Sequence, residues 1–195
     1  MRIAINLLLL ALIAFLIFTL YSIIKEPIAF QDAKNARKSV VVDQLKDIRT
    51  SQEMFRDITG KFASDFDTLV HVLRKDSLRF EKIEGDPDDP TNSELFTRTV
   101  YFRSALDSIN NLNINLDSLR YVPLAAKGTE FSIKADTMTY QKTLVNVVEV
   151  GTRWSTFMGK YANPKYKKYD NLYEPNAMIK FGDMNSPNIT GNWEN

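Results

Sequence analysis

The chain of 195 residues balances 25 Lys and Arg against 24 Asp and Glu, with one His and no Cys. That balance excludes a global field aimed at nucleic acid or another polyanion. The missing thiols exclude a disulfide scaffold, thiol catalysis and cysteine-held metal.

The first element runs from Ile3 to Ile24, "IAINLLLLALIAFLIFTLYSII", which carries no charge, Gly or Pro. Twenty-two helical residues at about 1.5 Å each reach roughly 33 Å, the thickness of a bilayer's hydrocarbon core. Asn6, Thr19 and Ser22 are its clearly polar side chains, and Tyr21 stands where an interfacial aromatic belongs. A cleaved export signal has a shorter apolar run and a small-x-small site. Residues 1–29 are therefore expected to be a retained anchor, meeting the lipid bilayer through residues 3–24. Lys25, Lys34, Arg37 and Lys38 beyond the span outnumber Arg2 before it, which by Lys/Arg counting places the following domain on the cytoplasmic side.

Pro27 predicts a break or bend just past the span. From Phe30 to Ile58 the pattern is again helical, one long helix that continues the anchor apart from a bend at Pro27. Val41, Leu45, Ile48 and Phe55 follow steps of four and three with Gln52 in the intervening slot, and Val42 and Ile58 widen the stripe. Thr59-Gly60 supplies the stop, because Gly accepts the left-handed conformation cheaply. A short helix is expected from Ser64 or Asp65, with Phe66, Leu69, Val70 and Leu73 on one face. "EGDPDDPTNSE", Glu84 to Glu94, then reads as an acidic linker without the alternating ligand spacing of a calcium loop.

Beyond it "TRTVYFR", "SLRYVPL", "TEFSIKA" and "KTLVNVVEV" are short, β-branched and aromatic, and turn residues separate them. They predict an antiparallel sheet on which the long helix lays its stripe, an α+β domain over residues 30–195. Residues 151 to 195 are less regular, and "NSPNITGNWEN" reads as a tail docked by Ile189 and Trp193.

No catalytic, cofactor-binding or metal-ligating constellation is legible. His71 stands alone on a helix surface with no nucleophile or orienting partner specified, and Gly128, Gly151 and Gly159 are too isolated to cradle a phosphate. The chain announces no small-molecule substrate and no nucleic-acid motif. "RWSTFMGKYANPKYKKYDNLYEP", Arg153 to Pro175, interleaves lysines with rings. Aromatics beside cations suit stacking on nucleic-acid bases or glycans, or a membrane surface. The segment reads either as a half-buried domain edge or as such a partner face, since aromatic residues and Arg anchor interfaces.

A membrane helix that continues as a soluble amphipathic helix and packs on an antiparallel sheet resembles the pilins and the pseudopilins of type II secretion. The local match is "LKDIRTSQEMFRDITGKF", similar to the end of the long helix in major pseudopilins, and the resemblance covers about residues 3 to 73. It implies that Leu45, Ile48 and Phe55 face the sheet, that Gly60 ends the helix and that Phe62 is the aromatic after it. Ala63 stands where that family commonly has Pro. The chain has no Gly before Gly60 and no acidic residue before Glu26, so the family's cleavage site and its intramembrane Glu have no counterpart. The resemblance then implies a permanently anchored, pilin-like subunit. "LDSLRYVPL" and the closing "TGNWE" also resemble an uncharacterised group of small membrane-anchored proteins from Bacteroidetes-type bacteria.

Asp-(Ser/Thr)-apolar occurs five times, with its hydroxyl on Thr68, Ser77, Ser108, Ser118 and Thr137. Helix capping and turn formation explain such a tripeptide locally. It is also similar to the O-glycan acceptor motif of exported Bacteroidetes proteins, which argues for the periplasm against the Lys/Arg count. The expectation is a non-catalytic, single-pass inner-membrane protein, its C-terminal domain periplasmic, working in a homo- or hetero-oligomeric envelope complex. The interface residues expected are Val41, Leu45, Ile48 and Phe55 on the helix, with Trp154, Phe157, Tyr161, Tyr166 and Tyr169 in the aromatic segment. The alternative is a monomeric, membrane-tethered binding module for a peptide or glycan.

Overall fold

A computed structural model describes residues 2–84 and 97–194. One α-helix, α1, runs from Arg2 to Thr59, so the anchor and the amphipathic stretch are the one continuous helix expected, and of the break or bend expected at Pro27 the break does not occur. A single proline forfeits one backbone bond, and the strongly helical sequences on both sides carry the element across it. Among the described side chains of the apolar run none is buried by the rest of the chain. Phe30, at 0% exposure, is the first buried residue, and from there α1 becomes the spine of the domain.

The stripe on α1 is in place. Val41, Val42, Leu45, Ile48 and Phe55 are buried, and Ile58 packs at its margin. Gly60 at φ +81 ends the helix, and its N–H returns to the Arg56 carbonyl at 2.7 Å. The chain then doubles back, held by Gln52 at 1% exposure. The Gln52 amide donates to the Ala63 carbonyl at 3.0 Å and accepts from the Ala63 N–H at 2.9 Å. Gln52 thus sits in an apolar stripe because its amide completes the backbone of the turn above it.

Helix α2, Phe66–Lys75, is capped by Asp65, whose carboxylate accepts the Thr68 N–H at 2.7 Å. That bond is the main reason the Asp65 carboxyl lies below its ordinary pKa. Strands β1, Ser77–Glu84, and β2, Thr97–Ser104, pair antiparallel from Ser77↔Ser104 to Glu84↔Thr97. Apart from Glu84, the expected acidic linker 84–94 lies outside the described residues. Helix α3, Ala105–Asn111, follows with Ser104 as its N-cap and buries Ala105 and Ile109.

Strands β3, Ser132–Tyr140, β4, Thr143–Arg153, and β5, Met178–Gly182, form a three-stranded antiparallel sheet in the order β3-β4-β5. The strands therefore divide into two sheets where one was expected. The expected strand "SLRYVPL" is instead a series of turns with one bridge, Tyr121↔Glu130. Pro123 has no N–H to give a ladder and Leu124 sits at φ +61, so pairing stops there. "TEFSIKA" contributes only its end to β3, which continues through Asp136-Thr137-Met138.

In the three-stranded sheet Ala135 opposes Val148, Ile133 opposes Val150, and Val150 opposes Phe181. With Ile179 this apolar face joins the α1 stripe in one core. The other face is mixed, carrying the Lys180–Glu149 ion pair at 2.5 Å beside buried Val147. Gly151 permits the close approach of β4 and β5, since a Cβ there falls 2.6 Å from the Ile179 carbonyl oxygen. The tail docks as expected. Ile189 and Trp193 pack on the core, Asn192 donates to the Lys180 carbonyl at 3.0 Å, and Arg49 pairs with Glu194 at 2.8 Å.

Candidate functional site

Residues 153–175 are built from short turns, and this explains why no periodicity was visible in them. Trp154–Phe157 form a single turn, α4, and two 3-10 turns follow at Gly159–Tyr161 and Pro164–Tyr169. Asn163 opens the last of these by accepting the Lys165 N–H at 2.9 Å, and Pro164 occupies the first position, where a missing N–H costs nothing.

These turns wrap around α1 just beyond the apolar run. Phe30 is enclosed by four phenol rings. Tyr166 stacks on it at 5.5 Å, Tyr161 and Tyr173 meet it edge-on at 5.7 and 5.1 Å, and Tyr169 tilts against it at 6.1 Å. The Tyr173 hydroxyl donates to the Tyr161 carbonyl at 2.8 Å, and burial pushes its pKa up to about 12.

Four polar ties fix the same segment to successive positions of α1. The Tyr169 hydroxyl donates to Glu26 at 2.5 Å, and Gln31 donates to the Tyr169 carbonyl at 3.2 Å. Lys34 pairs with Asp170, and Arg37 donates to the Phe157 carbonyl at 2.5 Å. The Lys34 ammonium is the first cause of the Asp170 carboxyl lying below its ordinary pKa.

This arrangement corrects the expected partner interface. Val41, Leu45, Ile48, Phe55, Phe157, Tyr161 and Tyr166 are buried in the chain's own core, and Trp154 and Tyr169 are half-buried against it. The physical reason is that the stripe packs in one core with α2 and the three-stranded sheet, while the aromatic segment closes around Phe30, earlier on α1. Of the two readings of residues 153–175, the domain edge describes their placement. What remains outside is cationic: Lys160, Lys165, Lys167 and Lys168 are exposed, and Leu172 beside them is 94% exposed. The lysines and the rings alternate in sequence and sort by burial, the rings turned inward and the lysines outward.

The five tripeptide hydroxyls are accessible to different degrees. Thr68, Ser77, Ser118 and Thr137 are exposed and Ser108 is half-buried. The following Leu69, Leu78, Ile109 and Leu119 are buried, with Met138 half-buried. Each motif therefore hangs its hydroxyl outside an apolar anchor. Local bonds engage several of them: Thr68 donates to Asp65 at 2.9 Å and Thr137 to Asn146 at 3.0 Å. Thr68 and Thr137 also line a cleft of about 280 Å³ between the end of α1 and β3, with Phe55, Phe62, Asp65 and Asp136.

His71 is exposed on α2, and among the described residues no group of three or more His, Asp or Glu side chains is arranged to hold a metal. The apolar surface that sequence reading missed lies on the β1–β2 ribbon. There Phe80 stacks on Tyr101 at 5.5 Å, and Phe102 is 68% exposed on the opposite face. The alternation Leu78, Phe80 was the signal for β1. Comparisons with protein-family models, curated proteins and solved structures each find no match.

Proposed function

We propose that this protein is a non-catalytic, single-pass subunit of a membrane-bound assembly, pilin-like in plan, whose first helix is both anchor and spine. One observation carries the reading. A single 58-residue helix leaves its apolar first part uncovered by the chain and builds the domain core with its second part. An uncovered apolar rod of bilayer length has a natural solvent in lipid, and an unbroken helix transmits its position to the head. The resemblance to pseudopilins draws support from the same continuity and from the Gly60 stop, and the account places the head in the periplasm of the inner membrane.

With the stripe and the aromatic segment engaged internally, assembly contacts fall to the lipid-embedded rod and to the ribbon carrying Phe80, Tyr101 and Phe102. The chain has no Cys, so Phe102→Cys supplies a unique handle on that ribbon. Bis-maleimide treatment of intact membranes is expected to give dimers or a ladder. Monomer alone would favour the membrane-tethered binding module, with the Thr68–Thr137 cleft as its site. A reporter fused after Asn195 tests the periplasmic placement, and glycan mass on Thr68, Ser77, Ser108, Ser118 or Thr137 tests the acceptor motif.

A further inference from the structure

We infer that residues 160–172 form a basic collar that seats on anionic phospholipid headgroups where α1 leaves the bilayer, with Leu172 entering the interface. The inference rests on the anchor reading above and adds a second, lipid-specific contact to it.

Position is the first argument. Glu26 lies two residues beyond Ile24, about 3 Å along the helix axis, and Gln31 about 10 Å. The headgroup layer on one side of a bilayer is roughly 5–8 Å thick, the difference between the full bilayer and its hydrocarbon core. Tyr169, bonded to Glu26 through its hydroxyl and to Gln31 through its carbonyl, is therefore held at headgroup level. Tyr21, about 4.5 Å before Ile24 on α1 and with the Lys25 ammonium 5.2 Å from its ring centre, marks the inner edge of that layer.

Charge is the second. Residues 160–172 carry four lysines and one carboxylate, Asp170, which is already engaged by Lys34. Lys160, Lys165 and Lys168 form no salt bridge among the described residues. Their ammonium groups lie 4.9, 4.8 and 4.5 Å from the ring centres of Tyr161, Tyr166 and Tyr169. The chain as a whole has a net charge of only +1, so this is a local concentration of cations at the level where lipid phosphates sit. Each lysine near an anionic surface strengthens binding roughly fivefold.

Leu172 is the third. Its N–H is held by Asp170 at 2.9 Å, in a turn that presents the side chain at 94% exposure. At that exposure the side chain is free to enter a lipid interface, where burying its apolar surface is favourable.

The test uses the full chain reconstituted in phosphatidylcholine vesicles, with and without phosphatidylglycerol, labelled by a water-soluble amine reagent and read by mass spectrometry. Lys160, Lys165 and Lys168 are expected to react several-fold less in the anionic vesicles, with reactivity restored by high salt. Lys61, beyond the far end of α1 and about 55 Å from Ile24 along the axis, is expected to react equally in both. Equal labelling of the collar lysines in both vesicles, with the protein still floating with lipid, overturns the collar and leaves the anchor standing. Failure to float with either vesicle overturns both. In the exposed combination Lys165→Glu, Lys167→Glu and Lys168→Glu the protein is expected to float, and the remaining Lys160 is expected to react equally in both vesicles. Retention of the full difference would also overturn the collar.

Discussion

Replacing Gln52 by Leu removes both partners of a buried backbone pair while keeping the volume of the site. Gln52 and Ala63 are 1% and 2% exposed, so water cannot take over either bond. The Ala63 N–H, now 2.9 Å from the amide oxygen, and the Ala63 carbonyl, 3.0 Å from the amide nitrogen, are both orphaned. Each orphan costs about 1–3 kcal/mol. Relief from burying the amide itself offsets about 1–2 kcal/mol of the sum. With the middle of each range taken, the expected net loss is about 2–3 kcal/mol, a large part of the ~5–15 kcal/mol a domain possesses. Urea unfolding of the full chain in detergent, followed by the fluorescence of half-buried Trp154 and Trp193, gives this as a lower midpoint at unchanged slope. Gln52→Glu supplies the matching pH test. The introduced carboxylate accepts from the Ala63 N–H but cannot donate to the carbonyl until protonated, and burial raises its folded pKa. This variant is therefore expected to gain stability, relative to the wild type, as pH falls toward 5. A loss under about 0.5 kcal/mol for Gln52→Leu, the level of an ordinary surface change, would refute the claim that this pair holds the turn.

Gly182→Ala places a Cβ 2.0 Å from the Val148 carbonyl oxygen at a residue with φ +77. The expected cost is about 3 kcal/mol, seen as a fall in melting temperature of roughly 6–12 °C. The turn between β3 and β4 puts Gln141 and Lys142 at φ +46 and +68, so Gln141→Asn with Lys142→Gly is expected to raise the urea midpoint by about 1 kcal/mol equivalent. Asp170 has a folded pKa below its unfolded value, chiefly through Lys34. Its contribution is present above the unfolded pKa and is lost as pH falls through the folded one. Urea midpoints measured from neutral pH to below 4 are expected to drop at the acid end in the wild type, and Asp170→Asn is expected to flatten part of that drop.

The elements legible in the sequence were those with a strong period or a capping residue. The stripe from Val41 to Phe55, the Gly60 stop, the Asp65 start of α2, and strands β2 and β4 all follow from spacing and local conformation. What spacing cannot tell is who covers a face. Val41, Leu45 and Ile48 read equally well as partner-facing or core-facing, and the answer depended on α2 and the three-stranded sheet folding onto them from later in the chain, while residues 154–173 close over Phe30 from the other end. That segment has no period because three short turns reset the phase at Phe157, Tyr161 and Tyr169. Its division into buried rings and exposed lysines is a property of tertiary packing. Helix α3 was missed although Ser104 and Asp107 are ordinary signals for a helix start. Strand β5 was missed because its five residues are too short to establish alternation. "SLRYVPL" misled through its β-branched and aromatic content, which Pro123 outweighs.

As a retained anchor, the apolar first part of α1 stays in the mature protein and resides in lipid while the head stands beyond it. Alkaline carbonate extraction of native membranes, followed by intact-mass measurement, is the decisive check. A chain retaining residues 1–29 is expected in the membrane pellet. A chain cut near residue 25 and released to the soluble fraction would contradict a retained anchor.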